Sequence, residues 1–368
     1  MQGYCPREFF LASMPMALKS LTYAQDVSVQ DLQSNLINFL YQDFFGQSSE
    51  YKEGFVLHSG SEANEIGLFL AKQKNHKERK LVVTTNLSHS SIQNACTKLD
   101  LETSILDARP DTFQVNVGEL KSILEQRGGE ILALNITFGT TQLGITEDVI
   151  LDNSIQELIK KNNIWLHIDA AYGGYILNLG NFSMKSDWKH IFEIADSISV
   201  DPHKFAGTWG CGVLLLKDSA NKKLVGSEID YYAGIGTALG TTRSAFPATT
   251  ALNIIKKLGV VGLKKLSDDC YKKAEYITTA LKKEGIDFIV KTQSPNIPIK
   301  IKSEEIALKI EKELKENNFL VSQIKIISKD YKIYGLRVCI TPRPDVSWSN
   351  VKLFTKIFIS IYKKNNLM

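Results

Sequence analysis

Trp165-Leu166-His167-Ile168-Asp169-Ala170-Ala171-Tyr172-Gly173-Gly174 reads as a short hydrophobic strand that delivers one carboxylate to a sheet edge and then passes through two alanines and a glycine pair. A strand apolar on both faces belongs in a buried parallel sheet, and in such sheets ligands gather beyond the carboxyl ends of the strands. Asp169 needs a partner there, because an unpaired buried ion costs several kcal/mol. The small residues after it leave room for a flat ligand, although a loop-terminating Asp would carry the same signature.

Working outward, β-branched runs at 55–57, 81–85, 104–106, 131–136, 164–168, 197–200 and 212–216 alternate with helix-like segments near 61–74, 90–99, 117–126 and 152–162. This alternation predicts an α/β fold, a mostly parallel sheet with helices on both faces. Ahead of it, Val29, Leu32, Leu36, Phe39/Leu40 and Phe44 have helical spacing and predict one amphipathic helix over 26–45. From about residue 250 the pattern becomes Lys-rich helices (250–284, 303–316, 348–364) with strands near 286–291, 297–302, 319–327 and 335–340, a smaller α+β unit. The expected division is an N-terminal arm and helix (1–50), a large domain (51–250) and a small C-terminal domain (251–368). With no repeat or low-complexity linker between them, these are expected to dock tightly.

Composition narrows the function. The 368 residues are 43% hydrophobic and 23% charged, with 24 Gly and 9 Pro, as in ordinary globular proteins and unlike disordered or fibrous ones. Lys+Arg 44 against Asp+Glu 40 leaves +4, spread along the chain, so no nucleic-acid-binding field is expected. Five cysteines (5, 96, 211, 270, 339) form no CxxC pair and no metal-ligand spacing, which favours a reducing cytoplasm and no metal. Apolar runs are too short for a membrane span, and the stretch from Phe9 to Leu18, with Ser13 and Pro15 behind Arg7-Glu8, makes a poor signal peptide.

Three other strand edges are chemically unusual. His58-Ser59-Gly60-Ser61-Glu62-Ala63-Asn64 passes from strand to helix through small residues, leaving backbone N–H groups free at a positive dipole end, an anion site or a plain capping box of Ser59 and Glu62. Leu87-Ser88-His89-Ser90-Ser91 offers an imidazole among hydroxyls, or a capping Ser with a surface His. Ser199-Val200-Asp201-Pro202-His203-Lys204 ends a strand in a Pro-fixed turn that presents His203 and then Lys204, where a desolvated amine can become nucleophilic. An Asp that demands a partner, 35 residues before such a Lys, with a phosphate cradle and a stacking His upstream, is the equipment for pyridoxal 5'-phosphate. The Lys forms a Schiff base, the Asp keeps the pyridine nitrogen protonated, and the helix N-terminus neutralises the phosphate.

On these residues the chain resembles the group II pyridoxal-phosphate-dependent amino-acid decarboxylases, most of all the small L-tyrosine/L-aspartate decarboxylase branch. The matching segments are SGSEAN (59–64), SHSS (88–91), GTTQLG (139–144), HIDAAYGGYIL (167–177), SISVDPHK (197–204), GTTRS (240–244) and LRVCITPRP (336–344). The resemblance implies the PLP-dependent fold type I (aspartate-aminotransferase-like), a homodimer with active sites at the subunit interface, and decarboxylation of an L-amino acid. By position it implies Lys204 as the Schiff-base lysine, Asp169 as the pyridinium partner, His89 stacked on the ring, Ala171 on its other face and Thr140 near the phenolic oxygen. Gly60, Ser61 and His203 would lie near the phosphate, and Arg337 would engage a substrate carboxylate. Tyr232, beside Tyr231, would protonate the product carbon, with His203 as the alternative donor. GTTRS is one residue longer than the usual motif, which leaves phosphate contact from a second subunit at Thr241 or Thr242 open. A carbon–carbon lyase of the sphingosine-phosphate lyase type shares the Asp, His-Lys and stacking-His pattern. A non-catalytic PLP-fold dimer and a transaminase are further rivals, disfavoured by the presence of Lys204, Asp169 and His89 and by the wording of the motifs.

Overall fold

The computed structural model describes residues 27–44, 53–75, 78–180, 185–205, 210–225 and 245–366. Helix α1 (Val27–Asn38) opens the described chain and runs on as a π-helix through Phe39–Phe44, within the span predicted as one helix. Its apolar face buries Leu36 and Leu40 completely. The Tyr41 hydroxyl sits 2.9 Å from the Glu53 carbonyl and 3.0 Å from that of Leu216, which pins this segment to the sheet.

A seven-stranded sheet follows: β1 (Glu53–Leu57), β2 (Leu81–Thr85), β3 (Glu102–Leu106), β4 (Ile131–Thr137), β5 (Trp165–Asp169), β6 (Ser197–Val200) and β7 (Gly212–Leu216), in the spatial order β1-β7-β6-β5-β4-β2-β3. Pairings from β3 through β6 are parallel, whereas β7 runs antiparallel to both β6 and β1. Reversing twice across β7 returns β1 to the direction of the others, so the carboxyl ends of β1, β2, β4, β5 and β6 share one edge. Every residue of β2, β4, β5, β6 and β7 is buried, as expected of strands covered on both faces. The covering helices are α2 (Gly60–Lys74), α3 (Ser90–Lys98), α4 (Val117–Arg127), α5 (Asn153–Lys161), α6 (Gly173–Leu179) and α7 (Lys185–Ile194). The last two had no clear sequence signal.

The predicted helix over 250–284 is found as α8 (Phe246–Lys283), with a break at Gly259, whose φ of 59° and ψ of 179° are not helical. A Cβ there would meet no atom, so the backbone angle and not space calls for glycine. Beyond it lie β8 (Asn296–Ile301), α9 (Glu304–Glu316), β9 (Ser322–Ile327), β10 (Lys332–Cys339) and α10 (Trp348–Asn366), the strands forming an antiparallel sheet ordered β8-β10-β9. The strand predicted over 286–291 shrinks to a single bridge between Phe288 and Ile299. Ile289 donates to the Pro298 carbonyl at 2.8 Å, but Pro298 has no N–H to return, and the ladder stops there. One continuous core cluster joins both sheets, from Leu36 through Ile168 to Ile361.

Candidate active site

At the shared strand edge the chain encloses a cavity of about 150 Å³ lined by residues from five strand ends. Gly60 and Ser61 follow β1, His89 follows β2, Thr137 closes β4, Asp169 and Ala171 end β5, and Asp201, His203 and Lys204 follow β6. Seven of the residues singled out from sequence therefore meet in one place: Gly60, Ser61, His89, Asp169, Ala171, His203 and Lys204.

At the first turn of α2 the capping reading holds, and the same turn lines the cavity. Ser59 Oγ accepts the Glu62 N–H at 3.2 Å and Glu62 accepts the His58 N–H at 2.8 Å, so the helix is capped. Ser59, Gly60 and Ser61 nevertheless face the cavity. A Cβ on Gly60 would fall 2.7 Å from Asp201 Oδ2, so only glycine lets the backbone come this close. His89 is itself the N-cap of α3, its Nδ1 accepting the Ser91 N–H at 3.2 Å and lying 2.9 Å from Ser91 Oγ. The capping group of this turn is thus the imidazole and not a serine. Ser88 instead packs its hydroxyl 2.6 Å from Thr84 Oγ1.

Asp169 is 3% exposed. Its Oδ1 accepts from the Ala171 N–H at 3.1 Å and Ser199 Oγ at 3.3 Å, and its Oδ2 accepts from Asn64 Nδ2 at 2.9 Å. All three donors are neutral, a configuration that leaves a buried anion in want of a cation. Asp201, one strand over, is equally buried, yet its Oδ2 lies 2.9 Å from Lys204 Nζ and 3.8 Å from His203 Nε2. Its Oδ1 has no hydrogen-bond partner among the described residues. His203 Nδ1 lies 2.8 Å from the Cys211 carbonyl.

Two buried groups behind the cavity have strongly moved pKa values. Glu147 accepts from the Thr137 N–H at 2.6 Å and from the Thr85 hydroxyl, and burial pushes its carboxyl up to about 7. Burial likewise pushes the His167 imidazole down to about 4. His167 contacts Asn64 Oδ1 through Nε2 at 3.0 Å and Ser197 Oγ through Nδ1 at 2.7 Å.

Two predicted positions stand outside the lining. Thr140, expected near a phenolic oxygen, does not line the cavity: its hydroxyl accepts the Ile145 N–H at 3.3 Å and closes the turn, while Thr137, Gly139 and Thr141 line the wall. Arg337, on β10, also stands back from the lining. It donates through Nη1 to the carbonyl of the lining residue Thr141 and through Nη2 to Ser322 Oγ at 3.2 Å, while its Nε is buried without a partner among the described residues. Tyr231, Tyr232, Thr241 and Thr242 lie outside the described residues. Sequence reasoning gave no role to Asn64, Ser91, Asp201 or Glu147. Asp201 shares the strand-end placement that drew attention to Asp169, and Asn64 is one helical turn from Gly60, on the same face. Glu147 had no comparable signal.

The residues present fit a flat, anionic cofactor with a basic ring nitrogen. A buried carboxylate lacks a cation, an amine stands in the same cavity, and a helix N-terminus approaches through a glycine. The model of the pyridoxal-dependent decarboxylase conserved domain matches residues 69–302, and the chain belongs to that family. It is 26% identical over 257 residues to a probable L-tyrosine/L-aspartate decarboxylase of Methanococcus aeolicus, covering 64% of each chain. It is 24% identical over 324 residues to the L-tyrosine/L-aspartate decarboxylase of Methanocaldococcus jannaschii, covering 84% of this chain and 77% of that one. Among solved structures, the fold matches Oryza sativa TDC with PLP and tryptamine at a TM-score of 0.83 and 14% identity, covering 99% of this chain and 82% of that one. A Burkholderia pseudomallei sphingosine-1-phosphate lyase matches at 0.81 and 16%, covering 98% and 85%. No helix among the described residues is long and apolar enough to cross a membrane.

Proposed function

We propose that this chain removes the α-carboxylate of an L-amino acid as carbon dioxide, yielding the amine, with pyridoxal 5'-phosphate as cofactor. The observation that carries this reading is the buried Asp169 carboxylate, held by neutral donors alone, in one cavity with the Lys204 amine. When bound, the cofactor supplies an electron-withdrawing ring that accepts the electrons left as the carboxylate departs. Lys204 would carry it. Asp169 would keep a proton on its ring nitrogen, and Gly60, Ser61 and His203 would hold its phosphate at the α2 N-terminus. His89 and Ala171 would flank the ring. Thr137, Gly139 and Thr141 would form the wall beside the phenolic oxygen, where the resemblance expects Thr140.

Arg337 would orient the substrate carboxylate. Its unpartnered Nε is a donor in reserve, and moving the guanidinium would exchange two neutral acceptors for a charged one. Tyr232 would deliver a proton to the carbon that loses the carboxylate, with Tyr231 or His203 as alternatives. The large domain over 51–250 would bind the cofactor, the arm and helix (1–50) and the small domain (251–368) would enclose it, and two copies would pair with their active sites at the interface. A cytoplasmic setting accords with the absence of CxxC pairs.

The test is direct. Purified, cofactor-loaded protein is incubated with each of the twenty amino acids, and amines are sought by mass spectrometry. One or a few amines are expected. No amine from any of them, with cleavage of phosphorylated amino-alcohols instead, would replace this reading with the carbon–carbon lyase. Borohydride reduction and peptide mapping should find the pyridoxyl group on Lys204, and label on another lysine would overturn its role. Tyr232→Phe should release carbon dioxide slowly and divert product into a carbonyl compound. Normal yield there with impairment in Tyr231→Phe would move the role one residue back, and normal behaviour in both would leave His203 as donor.

A further inference from the structure

A chain of hydrogen bonds runs behind the cavity from Trp165 to His89. Trp165 Nε1–H donates to Ser197 Oγ at 2.8 Å, Ser197 Oγ meets His167 Nδ1 at 2.7 Å, and His167 Nε2 meets Asn64 Oδ1 at 3.0 Å. The Asn64 Nδ2 then donates to Asp169 Oδ2 and to Ser91 Oγ, both at 2.9 Å, and Ser91 Oγ meets His89 Nδ1 at 2.9 Å. Asn64 and His167 are 1% and 0% exposed.

Chemistry sets the direction of every link. A carboxylate only accepts, so the atom of Asn64 facing Asp169 is the NH₂ group and the atom facing His167 is the carbonyl. That carbonyl can only accept, so His167 carries its proton on Nε2. Its Nδ1 then accepts the Ser197 hydroxyl, which is free to donate because it already receives the Trp165 N–H. On the other branch Ser91 Oγ receives the second Asn64 proton and turns its own toward His89 Nδ1. With the Ser91 N–H also aimed at Nδ1, neutral His89 keeps its ring proton on Nε2. A polar group used only to fill a core has no need of such order, and six residues each using their donors and acceptors in one sense form a device.

Gly67 supports this. A Cβ on this helical residue would lie 2.8 Å from His167 Nδ1 and 2.9 Å from Cε1, so α2 gives up a side chain where the imidazole must sit.

We propose that Asn64 is a positioning residue for the reaction: oriented by His167, its amide fixes the Asp169 carboxylate and, through Ser91, the ring proton of His89. The proposal rests on the reading that Asp169 serves a cofactor ring, and its test separates the two.

Gly67→Ala touches no cavity residue and acts through the His167 ring; His167→Phe keeps a ring and removes the donor. Each is compared with Asn64→Ala for affinity toward pyridoxal 5'-phosphate in the full chain, with thermal denaturation confirming the fold. Losing the Asn64 hydrogen bond to the Asp169 carboxylate should weaken binding roughly tenfold or more in Asn64→Ala, and Gly67→Ala and His167→Phe, which release the same amide from its orientation, should each weaken it severalfold. In the Asn64→Ala background, adding Gly67→Ala or His167→Phe should change affinity by less than about twofold, because both act through the residue already removed. Effects that multiply, or a folded Gly67→Ala or His167→Phe protein with native affinity, would overturn the proposal. A cofactor-free readout stands beside it: ¹⁵N-labelled His167 should show the Nε2–H tautomer, and an Nδ1–H signal would overturn it too. A wild-type chain that fails to bind the cofactor at Lys204, with His167 still Nε2–H, strikes the reading of the site and leaves the hydrogen-bond chain standing.

Discussion

Two aspartates end neighbouring strands, and they are not alike. Asp169 closes β5 with neutral donors on both oxygens, whereas Asp201 follows β6 with the Lys204 ammonium on one oxygen and, among the described residues, no partner on the other. Both are almost wholly buried. The difference teaches which anion is self-sufficient: Asp201 already has a cation from its own turn, and Asp169 has only neutral donors, which suits the proposed role of receiving a cation from a bound ring. A cavity with both kinds of carboxylate can hold an amine in waiting at one wall and a cationic ring at the other.

Removing the amine should break this contrast most severely. Lys204→Ala should reduce turnover to background and leave Asp201 as an unpaired buried charge, costing roughly 3 kcal/mol of stability. Urea denaturation of the cofactor-free protein measures the second effect, and an unchanged midpoint would mean that Asp201 is not paired in solution.

Asp169→Asn should do the reverse. Its partners are neutral, so stability should move by only about 1 kcal/mol. Turnover should fall roughly a hundredfold or more while the cofactor stays bound, because an amide cannot hold a ring nitrogen protonated. A variant within threefold of wild type in steady-state assays would remove Asp169 from the mechanism.

The surroundings of Asp169 can be tested by pH. Glu147, raised from 4.5 to about 7, contributes stability that is full below about 4.5 and is lost as pH rises through about 7. His167, lowered from 6.5 to about 4, contributes stability that is present above about 6.5 and lost as pH falls through about 4. Between about 4.5 and 6.5 the two slopes oppose one another, and the wild type hides both. Glu147→Gln should unmask them: its stability relative to wild type should climb by about 1.4 kcal/mol per pH unit from about 4.5 to 7 and level off above. Parallel wild-type and variant curves would show that Glu147 ionises as freely folded as unfolded.

The smallest effect belongs to His89, which is only half-buried and caps its own helix. His89→Ala should cost about 1 kcal/mol for the lost cap and weaken cofactor binding several-fold without unfolding the protein. Unchanged affinity in fluorescence titration would reduce His89 to a capping residue.

Much of this molecule is legible in one dimension. Continuous apolar runs between amphipathic segments require a sheet covered on both faces, and in such a sheet a polar residue just past a strand end faces the ligand edge whatever the strand order. That rule alone located Asp169, His203, Lys204 and the Ser59 to Ser61 turn. One dimension does not show that Thr140 turns its hydroxyl to the Ile145 N–H while Gly139 and Thr141 line the cavity, or that a left-handed angle at Gly259 divides one predicted helix.

What lies behind the edge was decided by tertiary structure. Asn64 meets Asp169 across 105 positions and His167 across 103, because α2 packs chiefly across β7, β6 and β5 and only lightly on β1, the strand that precedes it. Glu147 reaches Thr85 across 62 because β2 and β4 are neighbours, although β3 separates them in the chain. A sequence determines which side chains must be hidden, through the free energy of burying apolar surface. It does not display which distant donors and acceptors will be hidden together. That depends on the crossing order of the strands, and in this protein the crossing order turns two ordinary buried polar residues, Asn64 and His167, into the frame of the site.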